Sequence, residues 1–381
     1  LKPSRPQIVS SEPSKAKTHN YALGGFFMGT PKRRIKQVER PTYTVNEDQL
    51  TRYNLDKLIF NRVHSDPNWP GHQRMIDERV PHFIQNPKPG YSHIDFALEE
   101  AAWTLHDTYK GTFAQSRIPK YREPAAELDH DLSEFAFDSP GPHKMSSYVK
   151  RAALLYGVSL AGICQVNPNW IYAHTEIPDD CTTAVVMAIE MDPEGIATSP
   201  AIPAAAATGV GYSRMGFVLA LLGEFIRNLG YTAVQCANDM GLSVPLAIDA
   251  GLGQLGRHGL LITPQYGSRV RLCKIFTNLP LQHDKPIDFG VTEFCYHCKR
   301  CAEACEVDAI SKEKEPTFTP SCKSNNPGVL KWPVNVELCY EFWCDNGGDC
   351  STCIAVCPYT KRTFSEVPYD PKAFWENLPQ P

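Results

Sequence analysis

Residues 294–305 read FCYHCKRCAEAC and residues 338–358 read LCYEFWCDNGGDCSTCIAVCP. Cys295, Cys298, Cys301 and Cys305 form a C-x2-C-x2-C-x3-C run, and Cys350, Cys353 and Cys357 form C-x2-C-x3-C followed by Pro358. Of 14 cysteines, ten lie between Cys295 and Cys357. Such crowding favours metal ligation over a disulfide framework. Structural zinc ordinarily uses paired CxxC knuckles, which this spacing does not match.

The spacing matches a pair of interlocked ferredoxin runs, in which three close thiolates wrap one cubane and the fourth cysteine reaches the other cluster. The expectation is two [4Fe-4S] clusters. The first takes Cys295, Cys298, Cys301 and Cys357, and the second takes Cys305, Cys350, Cys353 and one further residue. Position 347, where that further ligand ordinarily stands, is glycine, so Cys339, Cys344 and Cys322 are the candidates. Spacing does not choose among them.

Working outward, the chain has 381 residues, enough for about two domains. Lys plus Arg total 38 against 42 for Asp plus Glu, a formal charge of -4 that offers no general attraction to a nucleic-acid backbone. No nucleic-acid partner is expected. The longest strongly apolar helical segment, Gly216 to Gly223, is closed by Glu224 and is shorter than the ~18 residues of a membrane span, so no transmembrane span is expected. The chain starts at Leu1 rather than Met, which reads as processed, and the double arginine in KRRIK lacks the apolar stretch of an export signal.

Four segments are expected. Residues 1–145 read as an extended arm and an irregular α/β region packing on the core, with a helix over Asp95 to Lys110 and an apolar patch at Phe26, Phe27 and Met28 that packs onto a later domain. Residues 146–288 read as a mixed α/β core, with helices over Ser146 to Leu160 and from a Ser213 cap to Gly230. Its strands are expected at Gly162–Val166, Thr183–Met191, Tyr231–Gln235, Val244–Asp249, Gly259–Thr263 and Arg269–Phe276. Residues 289–365 carry the cysteine runs as a ferredoxin-like domain, and 366–381 form a tail.

GLGQLGRHG at 251–259 superficially matches GxGxxG, but a strand follows at once and residue 271 is arginine where an acidic residue is required. A dinucleotide site is therefore not expected. Gly251, Gly253, Gly256 and Gly259 instead suggest either a backbone-rich loop beside another large cofactor or plain turns. About 290 residues precede the cysteine runs, more than a simple electron carrier needs, so an enzyme with an internal electron path is the better account.

These two cysteine segments, together with NDMGLSVPLAIDAGLGQLGRHGLLITPQYGSRVRLCKIFTNLPL at 238–281, resemble the respiratory reductive dehalogenases, cobamide and iron-sulfur enzymes that remove halogen from organohalides. The likeness runs from about Tyr148 to Arg362. It implies a nitroreductase-like α/β core holding a base-off cobamide, joined to a ferredoxin-like domain with two [4Fe-4S] clusters. The family's cysteine, tryptophan and CxxC spacing falls on Cys339, Trp343 and Cys350, which implies Cys339 as the remaining ligand. The chain has no DxHxxG segment, the usual source of a histidine ligand to cobalt.

Carried onto GVGYSRMG, QCANDMG and SRVRLCK, the family's catalytic set becomes Tyr212 as proton donor, Asn238 as its hydrogen-bonding neighbour and Arg271 as its support. Replacing halogen by hydrogen takes two electrons and one proton, and a guanidinium beside a phenol favours proton release. Strand alternation puts Arg269, Arg271 and Cys273 on one face, which makes Arg269 the local competitor. Trp343 and Phe27 are expected to wall a substrate pocket. The resemblance further implies a chlorinated methane or ethane as substrate, with chloroform and 1,1,1-trichloroethane the named candidates. It also implies an external electron donor, a small membrane-anchor protein and residence on the outer face of the cytoplasmic membrane. An epoxyqueuosine reductase-like enzyme acting on tRNA and a non-enzymatic two-cluster carrier are the alternatives.

Overall fold

The structure is a computed structural model that describes residues 35–65, 69, 71–115 and 137–360. The chain divides into two units, Leu1–Lys32 and Arg33–Pro381, and all described residues belong to the second. Phe27 and the early apolar patch lie outside the described residues.

A short strand β1 (Lys36–Gln37) leads into helices α1 (Ile59–Ser65), α2 (Gly71–Arg74), α3 (Val80–Gln85) and α4 (His93–Gln115). The core follows with α5 (Pro142–Leu155), β2 (Leu160–Gln165), β3 (Thr183–Glu190), α6 (Pro193–Ala197), α7 (Ile202–Asn228) and β4 (Ala233–Cys236). It continues through α8 (Ser243–Asp249), β5 (Gln254–Leu255), β6 (Leu261–Ile262) and β7 (Val270–Thr277). The cysteine segment adds β8 (Ile287–Asp288), α9 (Val291–His297), α10 (Arg300–Glu303), α11 (Val336–Asn346) and α12 (Thr352–Ala355).

The central sheet has the order β2-β3-β7-β4 with every pair antiparallel. Successive side chains of a strand point to opposite faces, and β3 buries both of its faces. Val185, Met187 and Ile189 pack with Met145 and Val149 of α5 and with Met215, Val218, Leu219, Leu222 and Ile226 of α7. Ala184, Val186 and Ala188 pack on the opposite side with Leu246, Ala247 and Ile248 of α8. Helices therefore cover both faces of the sheet. Each large apolar side chain so buried contributes about 1.5–3 kcal/mol.

Two elements differ most from their sequence reading, while the helix expected over Ser146 to Leu160 runs Pro142–Leu155 and the strand expected at Gly259–Thr263 shortens to Leu261–Ile262. Helix α7 starts at Ile202, not at Ser213, because Pro203 sits in its first turn and the run Ala204–Ala207 continues it. Ser213 is buried in mid-helix, and its hydroxyl donates to the Ala102 carbonyl of α4 at 2.6 Å. VPLAID, expected as a strand, lies in helix α8. Pro245 falls in the first turn, where a missing N–H costs nothing, whereas in a central strand it would break the ladder.

The longer α7 also corrects the expectation of no transmembrane span: at 27 residues it is long and apolar enough to cross a membrane by length and composition. The alanine-rich stretch from Ile202 continues into Gly216–Gly223 as one helix. In this fold 61% of the qualifying stretch is buried against the protein's own elements, as in the core helix of a globular domain.

The ferredoxin-like domain with two [4Fe-4S] clusters is corrected as well. Residues 289–360 contribute four short helices, α9 to α12, linked by coil. Among the described residues no group of three or more His, Cys, Asp or Glu side chains stands so as to hold a metal ion.

Candidate active site

The site is assembled where α7 crosses the sheet beside β7. Arg271 pairs with Ile189 in the β3–β7 register, and this places it on the face covered by α7. The helix approaches so closely that a Cβ on Gly211 would stand 2.8 Å from Arg271 Cγ. The guanidinium then lies beside the next residue of α7, with Cζ 5.3 Å from the ring centroid of Tyr212. Its Nη2 donates to Thr208 Oγ1 at 3.1 Å and its Nε to Met191 Sδ at 3.2 Å, which hold it against the helix. Arg269 is committed elsewhere: it is buried, and its Nη1 donates to Glu190 Oε1 at 2.8 Å and to the Met191 carbonyl.

Asn238 follows β4 directly and donates from Nδ2 to the Tyr212 hydroxyl at 3.0 Å. Three residues from three elements therefore converge: Tyr212 from α7, Asn238 from the loop after β4, and Arg271 from β7. Helix α4 supplies the wall that sequence reading missed. Trp103 stacks on Tyr212 with centroids 5.0 Å apart, and His106 meets the same ring edge-on at 5.2 Å. Trp103 and His106 are one turn apart on α4, as Gly209 and Tyr212 are on α7, and a Cβ on Gly209 would stand 2.7 Å from the Trp103 ring. Only small residues at 209 and 211 let the two neighbours close on Tyr212.

Two carboxyl groups border this corner. Glu99 of α4 is pushed up to about 8 by burial, with the Asp349 and Glu100 charges adding to the shift. Asp349 is pushed up to about 6 by burial, against the opposing pull of Arg271.

No family model matches the chain. A tetrachloroethene reductive dehalogenase of Sulfurospirillum multivorans is 34% identical over 82% of this chain and 74% of its own length. The chain belongs to the reductive dehalogenase family. This is a family of oxidoreductases acting on carbon–halogen bonds. A tetrachloroethene reductive dehalogenase of Desulfitobacterium hafniense is 45% identical over 71% of this chain and 63% of its own length. A solved reductive dehalogenase, described with a mechanism of B12-dependent dehalogenation, superposes with a TM-score of 0.66 over 90% of this chain at 21% identity. This reductive dehalogenase chain thus shares that fold, while spanning only 46% of the solved protein.

Trp343 and the four glycines of 251–259, also expected at the site of this reductive dehalogenase, make other contacts. Trp343 packs with Ile59, Val63, Tyr340 and Cys344, and its ring lies 6.0 Å from Phe60. Three of the four glycines of 251–259 meet close approaches within the protein. A Cβ would meet the Lys285 carbonyl at 2.5 Å from Gly251, the Ile262 carbonyl at 2.2 Å from Gly253, and the His258 ring at 2.7 Å from Gly256. Gly259 has φ +76°, a conformation that favours glycine.

The same loop carries Arg257, almost wholly buried, which ties the core to the cysteine segment. Its guanidinium donates to the carbonyls of Cys295, Cys298, Ser311 and Glu313 at 2.7–3.2 Å, and its Cζ lies 4.3 Å from the Trp332 ring centroid. Cys295, Cys298, Cys301 and Cys357 line a cavity with Arg257 and His258 of only about 10 Å³, room for about one water. Burial pushes the Cys295 thiol up to about 11 and the Cys357 thiol up to about 12. In the second set, burial pushes Cys339 up to about 12 and raises Cys353, with repulsion from Cys350, Cys339, Cys301 and Cys305 adding to the latter. The Cys305 sulfur accepts from the Ala309 N–H at 3.3 Å, and the Cys350 sulfur lies 3.4 Å from Thr352 Oγ1. Cys295, Cys301 and Cys357 are buried, and Cys298, Cys305, Cys339, Cys350 and Cys353 are half-buried. The expected [4Fe-4S] ligand sets are corrected by the absence of a metal-holding group among the described residues.

Proposed function

We propose that the chain carries out reductive dehalogenation of a small chlorinated hydrocarbon, replacing halogen by hydrogen with Tyr212 as the proton donor. The convergence of Tyr212, Asn238 and Arg271 supports this reading most strongly. The hydroxyl of Tyr212 already accepts a hydrogen bond from Asn238, so its own hydrogen is left for a substrate carbon. Arg271 over the ring offsets negative charge that grows on the phenol oxygen as the proton leaves. Trp103 and the α7 backbone exclude water from one side of the ring, which strengthens both effects.

The donor set at this corner would suit a bound cobamide. Phenol, carboxamide and guanidinium face the reacting position, and the imidazole of His106 is packed edge-on against Tyr212. When bound, a low-valent cobamide supplies the two electrons that the substitution R–Cl + 2e⁻ + H⁺ → R–H + Cl⁻ requires. Gly251, Gly253, Gly256 and Gly259 are proposed to border it with backbone. The chain's own work is to exclude water, orient the halide and deliver the proton from Tyr212 Oη.

Substrate choice rests on shape, since a small chlorinated molecule offers little polarity to read. Chlorinated methanes and ethanes are the proposed class, and the tetrachloroethene of the two named relatives is the comparison substrate. Family membership favours this reading over the tRNA-modifying one. The test is to quantify bound corrinoid in anaerobically isolated protein and measure chloride release from chlorinated alkanes and alkenes in parallel. Chloride release that scales with corrinoid content supports the proposal. Corrinoid-loaded protein inert to the whole panel contradicts it.

A further inference from the structure

Strand β7 sends cations to both faces of the sheet: Arg271 toward α7 and, three residues on, Lys274 toward the loop that carries Asn238. Lys274 is fully buried. Its Nζ donates to the Ala237 carbonyl at 2.9 Å, the Gly241 carbonyl at 2.8 Å and Ser243 Oγ at 2.9 Å, three acceptors for the three hydrogens of an ammonium. The two carbonyls bracket Asn238 along the chain, so the main chain is pinned on both sides of it.

We infer that Lys274 and Ser243 are positioning residues that fix the direction of the hydrogen bonds reaching Tyr212. Because Ser243 Oγ accepts from Lys274, its own hydrogen turns to Asn238 Oδ1, at the longer distance of 3.4 Å. That contact selects one of two orientations of the carboxamide, with oxygen toward Ser243 and nitrogen toward Tyr212. Asn238 Nδ2 then donates to the Tyr212 hydroxyl at 3.0 Å, and the phenol hydrogen stays out of the chain of bonds. Without the ammonium, Ser243 can donate to a loop carbonyl instead. Asn238 is then free to turn over, accept from Tyr212 and trap the hydrogen that the reaction uses.

This inference rests on the reading of Tyr212 as proton donor, and its test separates the two. The readout is the C–O stretching band of Tyr212, isolated by subtracting the infrared spectrum of Tyr212→Phe from that of unreacted protein. The band of a phenol that accepts a hydrogen bond differs from that of one that donates. In Ser243→Ala the band is expected to move from the accepting to the donating position, and Ser243→Thr is expected to restore it. Chloride release should fall about tenfold in Ser243→Ala with KM changed less than about twofold, since a misdirected proton slows the chemical step rather than binding. Lys274→Met should give the same band shift where it folds, and Ser243→Ala carries the test where it does not. An unmoved band in Ser243→Ala overturns the inference. A moved band together with full activity in Tyr212→Phe leaves the positioning intact and removes Tyr212 as donor.

Discussion

The cysteine segment and the Tyr212 corner are assembled on opposite principles. The cysteines are close in sequence, with Cys295, Cys298 and Cys301 within seven residues, and their arrangement follows from short helices and turns. Tyr212, Asn238 and Arg271 span 60 residues, and what brings them together is strand register and the close approach of a glycine-bearing helix. Local spacing announces which atoms are available, whereas tertiary register decides which of them face a common point. The first can be read from a sequence and still misjudge the outcome, since among the described residues no three such side chains stand so as to hold a metal ion. The second is invisible to spacing, yet yields a hydrogen-bonded cluster with a defined donor.

Five changes sharpen the contrast. Arg271→Ala is expected to lower chloride release about a thousandfold while leaving the fold intact, because it removes the charge beside the reacting phenol. Arg269→Ala should instead cost stability, as it strips the partner from Glu190; equal activity losses in the two variants would merge the roles the register separates. Arg257→Met is expected to lower unfolding free energy by about 3 kcal/mol, since the Cys295, Cys298, Ser311 and Glu313 carbonyls lose their donor. Denaturant titration reads this, and an unchanged midpoint would show the cysteine segment to be held independently of the core.

Gly211→Ala should lower activity about tenfold with a small change in stability, because the new Cβ displaces the Arg271 side chain by overlap at 2.8 Å. The smallest effect belongs to Glu99. Its pKa in the folded protein is raised to about 8, so its contribution to stability is full below about pH 4.5 and is lost as pH rises through 8. Glu99→Gln removes that loss, and its melting temperature should exceed that of the parent by about 3 °C at pH 9 and match it near pH 5. A gap that does not grow with pH would mean that Glu99 is well solvated.

Much of the sheet was legible. Thr183–Met191 and Arg269–Phe276 carry continuous or alternating apolar runs that only a buried strand accommodates, and within β7 the alternation sets Cys273 opposite Val270 and Leu272. The start of α7 was not, because alanines carry little hydrophobic signal and Ser213 resembles a cap when its partner on α4 is unknown. VPLAID is too short for its period to separate helix from strand, and only the proline argued for a helix. At the site, Tyr212, Asn238 and Arg271 were reached through resemblance, and the structure brings them into contact. Trp103 and His106 gave no signal of their own, since their meaning depends on the pairing of α4 with α7.

In the proposed reaction the phenol hydrogen of Tyr212 completes the carbon–hydrogen bond. Single-turnover conversion of a chlorinated methane or ethane by corrinoid-loaded Tyr212→Phe, measured as chloride and dehalogenated product against the parent protein, tests it directly. The expected result is a loss of at least about a hundredfold in product formed per corrinoid, with corrinoid content and melting temperature unchanged. Product formation at the parental rate in that variant would contradict it.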